Sequence, residues 1–180
     1  MNHPPYRAVI VDFDRTLLHT DKTISDHTVK VMRTWQEAGA RLFAATARPQ
    51  RAITEYCRLI SFDAVTTLNG ARTVTPDAVL ENPISAPEAE AILEQLDRIP
   101  GAVISVEAGN GIRSMLEAFG IAPGQAVYFG DDNDDIEPVR NCGCGVAVSN
   151  ALDCVREIAD HITGSNDEDG VAAYLSELFC

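Results

Sequence analysis

Lysine is nearly missing from this chain: Lys22 and Lys30 are its two examples. Arginine brings the basic total to 14 against 27 acidic residues, a formal net charge of −13 over 180 residues. Nucleic-acid binding needs clustered cations to neutralise phosphates, so the balance disfavours such a partner, and none is expected. No apolar run approaches the roughly 18 residues that a membrane span requires, so no membrane partner is expected. The opening Met1-Asn2-His3-Pro4-Pro5 has neither the basic nor the apolar segment of a secretion signal, and we expect a cytoplasmic protein. The five cysteines are Cys57, Cys142, Cys144, Cys154 and Cys180, an odd number without framework spacing, which argues against a disulfide scaffold. Cys142-Gly143-Cys144 lacks a second pair and a suitably spaced His, so these thiols read as small core residues in a reducing compartment. Internal repeats and low-complexity tracts are also absent.

What is present is a core. Hydrophobic residues make up 46% of the chain, and its length fits one domain, or one domain with a small insertion. Ala8-Val9-Ile10-Val11 reads as a strand buried on both faces, and it breaks directly into Asp12-Phe13-Asp14-Arg15-Thr16. Ligands of open α/β sheets bind beyond the carboxyl ends of the strands, so this strand presents two carboxylates at a binding edge. One carboxylate can then hold magnesium and attack, while the other trades protons with a leaving oxygen.

Along the chain, Ser25 caps a helix whose Val29, Met32 and Trp35 share a face and which Gly39 stops. Trp35 reads as core; His19 and His27 read as surface residues. The strand Arg41–Ala45 ends in Thr46-Ala47-Arg48-Pro49, a strand end before a helix start, where free N–H groups favour anions. That helix is expected to run to about Leu59. Phe62–Leu68 gives a third strand and Asn69-Gly70 a turn.

Residues 71–108 break the alternation. Thr73-Val74-Thr75 and Val79-Leu80-Glu81 suggest a hairpin, Ser85 and Glu88 a capping box, and Ala102–Val106 a strand. This is a small inserted ββαβ-type cap, with residues 1–70 and 109–180 as the core domain. A helix carrying Ile112, Met115, Leu116 and Phe119 follows. The buried strand Ala126–Phe129 then ends in Gly130-Asp131-Asp132-Asn133-Asp134-Asp135. Four carboxylates in five residues repel one another unless a cation or solvent compensates, which points to a metal. A further strand Gly145–Val148, a helix and the closing helix Val171–Leu178 complete an α/β fold: a three-layer, Rossmann-like core on a parallel sheet.

These residues carry a resemblance. The chain resembles the haloacid dehalogenase (HAD) superfamily, specifically its Cof-type phosphatases with a shortened cap. Asp12-Phe13-Asp14-Arg15-Thr16 is similar to that family's first motif, Thr46-Ala47-Arg48-Pro49 to its second and Gly130 through Asp135 to its fourth. Asn69-Gly70-Ala71, Ser149-Asn150-Ala151 and Asn166 through Val171 are similar as well, so the resemblance covers nearly the whole chain.

The resemblance implies a magnesium-dependent phosphatase (a hydrolase) acting on a phosphomonoester of a small phosphorylated metabolite, such as a sugar phosphate, through an aspartyl-phosphate. It implies Asp12 as nucleophile and Asp14 as general acid, then base. It implies Thr46, with Ala47 and Arg48, as substrate contacts, and Mg2+ on Asp12, the Asp14 carbonyl and Asp131, with Asp135 orienting a water of the ion. Such roles match phosphoryl transfer, which chiefly needs alignment and charge neutralisation.

Three departures modify the expectation. Arg113 stands where the family places a lysine, so Arg113 is expected to bridge nucleophile and phosphoryl group; a guanidinium is larger, and the swap is not conservative. Asp134 stands where Asn is usual, and Ala47 where Gly is usual. The cap is short, so either a neighbouring copy in a homo-oligomer closes the site or a bulky substrate enters an open cleft. Arg48 and Arg72 are candidates to reach that substrate from the rim. Two other classes remain open. One is a catalytically weak phosphate-binding or regulatory module, suggested by Arg113. The other is a receiver-like signalling domain, which the insertion disfavours.

Overall fold

The computed structural model describes residues 4–81, 85, 87, 88, 90, 91 and 111–179. Eight strands form one sheet: β1 Ala8–Asp12, β2 Arg41–Ala45, β3 Ala64–Thr67, β4 Arg72–Val74, β5 Val79–Glu81, β6 Ala126–Gly130, β7 Cys144–Val148 and β8 His161–Thr163. Their order is β5-β4-β3-β2-β1-β6-β7-β8. The strands from β3 through β8 in that order run parallel, and β4 and β5 are antiparallel additions at one edge. The continuous apolar run of β1 follows from its place: its residues Ala8 to Val11 are all fully buried, between β2 and β6 and beneath helices.

Chain direction sets the layers. From β1 the chain steps outward to β2 and β3, then returns across the sheet to β6 and steps the other way to β7 and β8. Right-handed crossovers put the helices of those two excursions on opposite faces. The helices are α1 Asp26–Glu37, α2 Tyr56–Leu59, α3 Gly111–Ala118, α4 Ile136–Asn141, α5 Asp153–Arg156 and α6 Gly170–Leu178. Helix α1 starts at Ser25, whose hydroxyl accepts from the Thr28 N–H at 3.0 Å, and buries Met32 and Trp35 as the three-residue spacing predicts. It packs on α6, where the Trp35 indole N–H donates to the Leu175 carbonyl at 3.0 Å and its ring meets Phe179 edge-on. Helix α3 covers β2 and β3, with Phe119 against Phe43 at 5.1 Å between ring centres. Gly111 begins α3 because a Cβ there would lie 2.0 Å from the Thr66 hydroxyl oxygen.

Several expectations are corrected. The hairpin assigned to the cap is not detached from the core: β4 pairs with β3 through Val65–Val74, Thr66–Thr73 and Thr67–Arg72, so it widens the main sheet. Ser85 and Glu88 do make the expected capping contacts, with the Ser85 hydroxyl donating to Glu88 at 2.5 Å. The expected helix face at Ala89, Ile92, Leu93 and Leu96 and the strand Ala102–Val106 lie outside the described residues. The helix expected after Pro49 is two short pieces, Gln50–Ala52 and α2, joined through the buried Ile53. His19 is not simply at the surface; it is half-buried and bonded to Asp169 at 2.8 Å. Cys144 is buried as a core thiol, whereas Cys154 is exposed. Among the described residues no helix is long and apolar enough to cross a membrane.

Candidate active site

The two strands on which the sequence placed its acids are neighbours. β1 pairs with β6 in the register Ile10–Tyr128 and Val11–Phe129, so Asp12 and Asp131 leave the sheet side by side at the carboxyl end. Carboxylate oxygens of Asp12, Asp131 and Asp135 all lie within 4.8 Å of one another. They line a cavity of about 870 Å³ shared with Asp14, Arg15, Thr46 and Asn69.

Each acid is held differently. Asp135 is buried and its oxygens are already committed: Oδ1 accepts from the Tyr128 hydroxyl at 2.5 Å, and Oδ2 from the Asp131 and Asp132 N–H groups at 2.7 and 3.0 Å. Asp131 is also buried; its Oδ1 accepts from the Thr16 hydroxyl at 3.3 Å, and its Oδ2 lies 3.8 Å from Arg15 Nε. Burial, then the negative charges of Asp135 and Asp131, push the Asp12 carboxyl well above its ordinary range. Burial and Asp135 push Asp131 up to about 6, against the opposing pull of Arg15. Carboxylates that raise one another's affinity for protons form a donor set that a hard divalent cation relieves, and all-oxygen ligands suit magnesium. The residues present therefore fit the cation that the sequence implied.

Asp14 does not join this cluster. The chain leaves the strand at Phe13, Asp14 stays extended (φ −74°, ψ 123°) and Arg15 turns left-handed (φ 61°). That geometry sends Asp14 to a basic clamp. Arg48 donates through Nε at 2.5 Å and through a terminal nitrogen at 2.7 Å, and Lys22 Nζ adds a bond at 2.7 Å. The guanidinium of Arg48, helped by Lys22, draws the Asp14 carboxyl down to about 2.

Thr46 sits at the tip of β2, buried, with its hydroxyl oxygen accepting from the Arg48 N–H at 3.1 Å, and Ala47 lines the same cavity. Arg113 also borders the cavity, but its guanidinium donates to Glu117 at 2.9 Å, one helical turn on, with 77% of the side chain exposed. The structure brings it to the rim, not to Asp12. Arg72 pairs with Glu81 at 3.3 Å. Sequence reasoning gave no site role to Tyr128, Asn69, Thr16 or Lys22. Asn69 reaches the acidic loop, its amide donating to Asp134 at 2.8 Å. A phenol two residues before a Gly-Asp strand end was the available signal for Tyr128.

Gly130 fits the loop for a steric reason, since a Cβ there would lie 2.4 Å from Asp135 Cγ and 2.5 Å from its Cβ. Gly130→Ala is therefore expected to push Asp135 off its three donors and to lower unfolding free energy by about 1–3 kcal/mol, measured in urea. Unchanged stability would show that Asp135 is not held as described.

The sequence profile described as haloacid dehalogenase-like hydrolase matches residues 9–108 and 103–175. The chain is 39% identical over 69 residues to the 5-amino-6-(5-phospho-D-ribitylamino)uracil phosphatase YitU of Bacillus subtilis, covering 38% of this chain and 26% of that protein. It is 36% identical over 73 residues to the phosphoglycolate phosphatase of Methanopyrus kandleri, covering 41% of this chain and 32% of that protein. The matched part thus spans about a quarter to a third of those relatives. Among solved structures, the chain superposes on a hypothetical protein from Geobacillus kaustophilus with a TM-score of 0.83 at 21% identity, covering 96% of this chain and 98% of that one. It superposes on a haloacid dehalogenase-like hydrolase from Bacteroides thetaiotaomicron with a TM-score of 0.81 at 18% identity, covering 97% and 100%. At such identities these two establish the fold.

Proposed function

The chain belongs to the haloacid dehalogenase-like hydrolase family, and from that premise we propose that it hydrolyses a phosphomonoester of a small metabolite in a Mg2+-dependent reaction. The observation that carries this reading is the meeting of the Asp12, Asp131 and Asp135 carboxylates within 4.8 Å at the ends of two adjacent strands. The named activities of the two relatives, both phosphatases of phosphorylated metabolites, support the substrate class.

On this reading an Asp12 oxygen attacks phosphorus, the ester P–O bond breaks and an aspartyl-phosphate forms. Water then attacks phosphorus, releasing inorganic phosphate and restoring the carboxylate. Asp14 carries the protons between leaving oxygen and water. It begins as a carboxylate, because Arg48 and Lys22 hold it so. Once the Arg48 fork lets go it takes a proton from solvent, gives that proton to the leaving oxygen as the ester bond breaks, and regains one from the attacking water. Thr46 presents its hydroxyl to the phosphoryl oxygens from the tip of β2. Asp12, Asp131 and the Asp14 carbonyl would hold Mg2+, and Asp135, with its oxygens already accepting three bonds, supports from behind. The ion would supply charge neutralisation at the phosphoryl group.

The test is phosphate release from an aryl phosphate, with Mg2+ and with a chelator. We expect turnover that the chelator abolishes. Equal turnover in chelator would contradict the reading, and failure with every phosphate ester tried would favour a phosphate-binding module.

A further inference from the structure

Arg15 is the described cation that reaches the acid cluster itself. Its Nε lies 3.8 Å from Asp131 Oδ2, a terminal nitrogen donates to the Asn150 carbonyl at 3.3 Å, and the Asn150 amide returns a bond to the Arg15 carbonyl at 2.8 Å. Its backbone is left-handed at φ 61°, a conformation that glycine adopts freely and a residue with a side chain adopts at a cost. The conformation turns the side chain toward the acids, and 58% of that side chain remains exposed on the cavity. Nearby cations are more firmly committed. Arg48 makes two short bonds to Asp14, Lys22 makes another, and Arg113 is paired with Glu117. The contact of Arg15 with Asp131 is long by comparison.

Phosphate carries two charges and cannot enter a ring of carboxylates without cationic donors. A guanidinium 3.8 Å from Asp131 partly occupies the position of a counter-ion. A divalent cation on Asp131 would weaken that attraction and free the Nε of Arg15, while a terminal nitrogen stays on the Asn150 carbonyl. We propose that Arg15 binds the phosphoryl oxygens of the substrate, and that its contact with Asp131 is what a divalent cation displaces. This rests on the phosphatase reading above.

The proposal predicts effects of opposite sign on two ligands. In calorimetric titrations, Arg15→Gln should bind Mg2+ alone severalfold more tightly, because a competing positive charge is gone. With Mg2+ present, it should bind inorganic phosphate roughly tenfold or more weakly, because a charge-assisted donor is gone. Arg15→Lys should restore most of the phosphate affinity. Arg15→Gly should fold and melt at or above the parent temperature, since it relieves the left-handed backbone, and should bind phosphate as weakly as Arg15→Gln. If Arg15→Gln bound phosphate as the parent does, or lost Mg2+ and phosphate together, the proposal would be overturned. A parent that takes up neither ligand removes the phosphatase reading and this inference with it. A parent that binds both, matched by Arg15→Gln, removes the inference alone.

Discussion

Asp12→Asn is expected to lower phosphate release by on the order of 10³-fold or more, while raising the melting temperature of the metal-free protein. The first effect follows from chemistry. An amide oxygen is a poor nucleophile, and no other described carboxylate occupies the tip of β1. The second follows from electrostatics. Asp12 ends the central strand, and burial together with Asp135 and Asp131 lifts its carboxyl well above the ordinary range. A folded-state value above the unfolded one means that ionisation opposes folding. The cost is absent at low pH and grows as pH rises through the unfolded carboxylate range toward the folded value. An amide of the same shape removes that charge. Loss of both activity and stability would mean that Asp12 is structural; retained activity would remove it as nucleophile.

The next largest effect is expected at Asp131. Asp131→Asn should lower Mg2+-supported turnover by on the order of 10²-fold and should raise the Mg2+ concentration needed for half-maximal rate. pH gives a second measure of the same residue. Asp131 is pushed up to about 6 in the metal-free protein. Its contribution to stability is therefore greatest below the unfolded value near 4 and is lost as pH rises through about 6. The metal-free parent should melt at a higher temperature at pH 5 than at pH 7, and Asp131→Asn should reduce that difference to the part that Asp12 contributes. Saturating Mg2+ should reverse the trend, since the ion needs the ionised form and its affinity falls as pH drops below about 6. Melting curves at the two pH values, with and without Mg2+, measure all of this. A parent with no pH difference between them would remove the raised value at Asp131.

The legible part of this molecule lay in its strand tips. Asp12 and Asp131 follow fully buried apolar runs, and such runs can only be central strands whose ends adjoin. Which way side chains turn once the chain leaves the strand was not legible. The chain leaves the strand directly after Asp12, and a sequence carries no mark of where the Asp14 side chain then turns. Arg48, 34 positions along, and Lys22 capture Asp14 instead. Arg113 was read from its place in the pattern, but the position of a residue on a helix does not fix its partner, and Glu117 lies one turn away at the right spacing for an ion pair. Tyr128 looked like any core aromatic in a buried strand until its hydroxyl was seen on Asp135. The hairpin at β4 and β5 was legible as a hairpin. That it would extend the main sheet was not, because edge pairing depends on which neighbour has free N–H groups.

One measurement bears most directly on the whole account: calorimetric titration of the chelator-treated protein with Mg2+ at pH 7, for the parent and Asp131→Asn. We expect the parent to take up one ion and Asp131→Asn to show little or no uptake. A parent with no binding heat, or an Asp131→Asn that binds as the parent does, would contradict the claim that the tips of β1 and β6 together hold the cation.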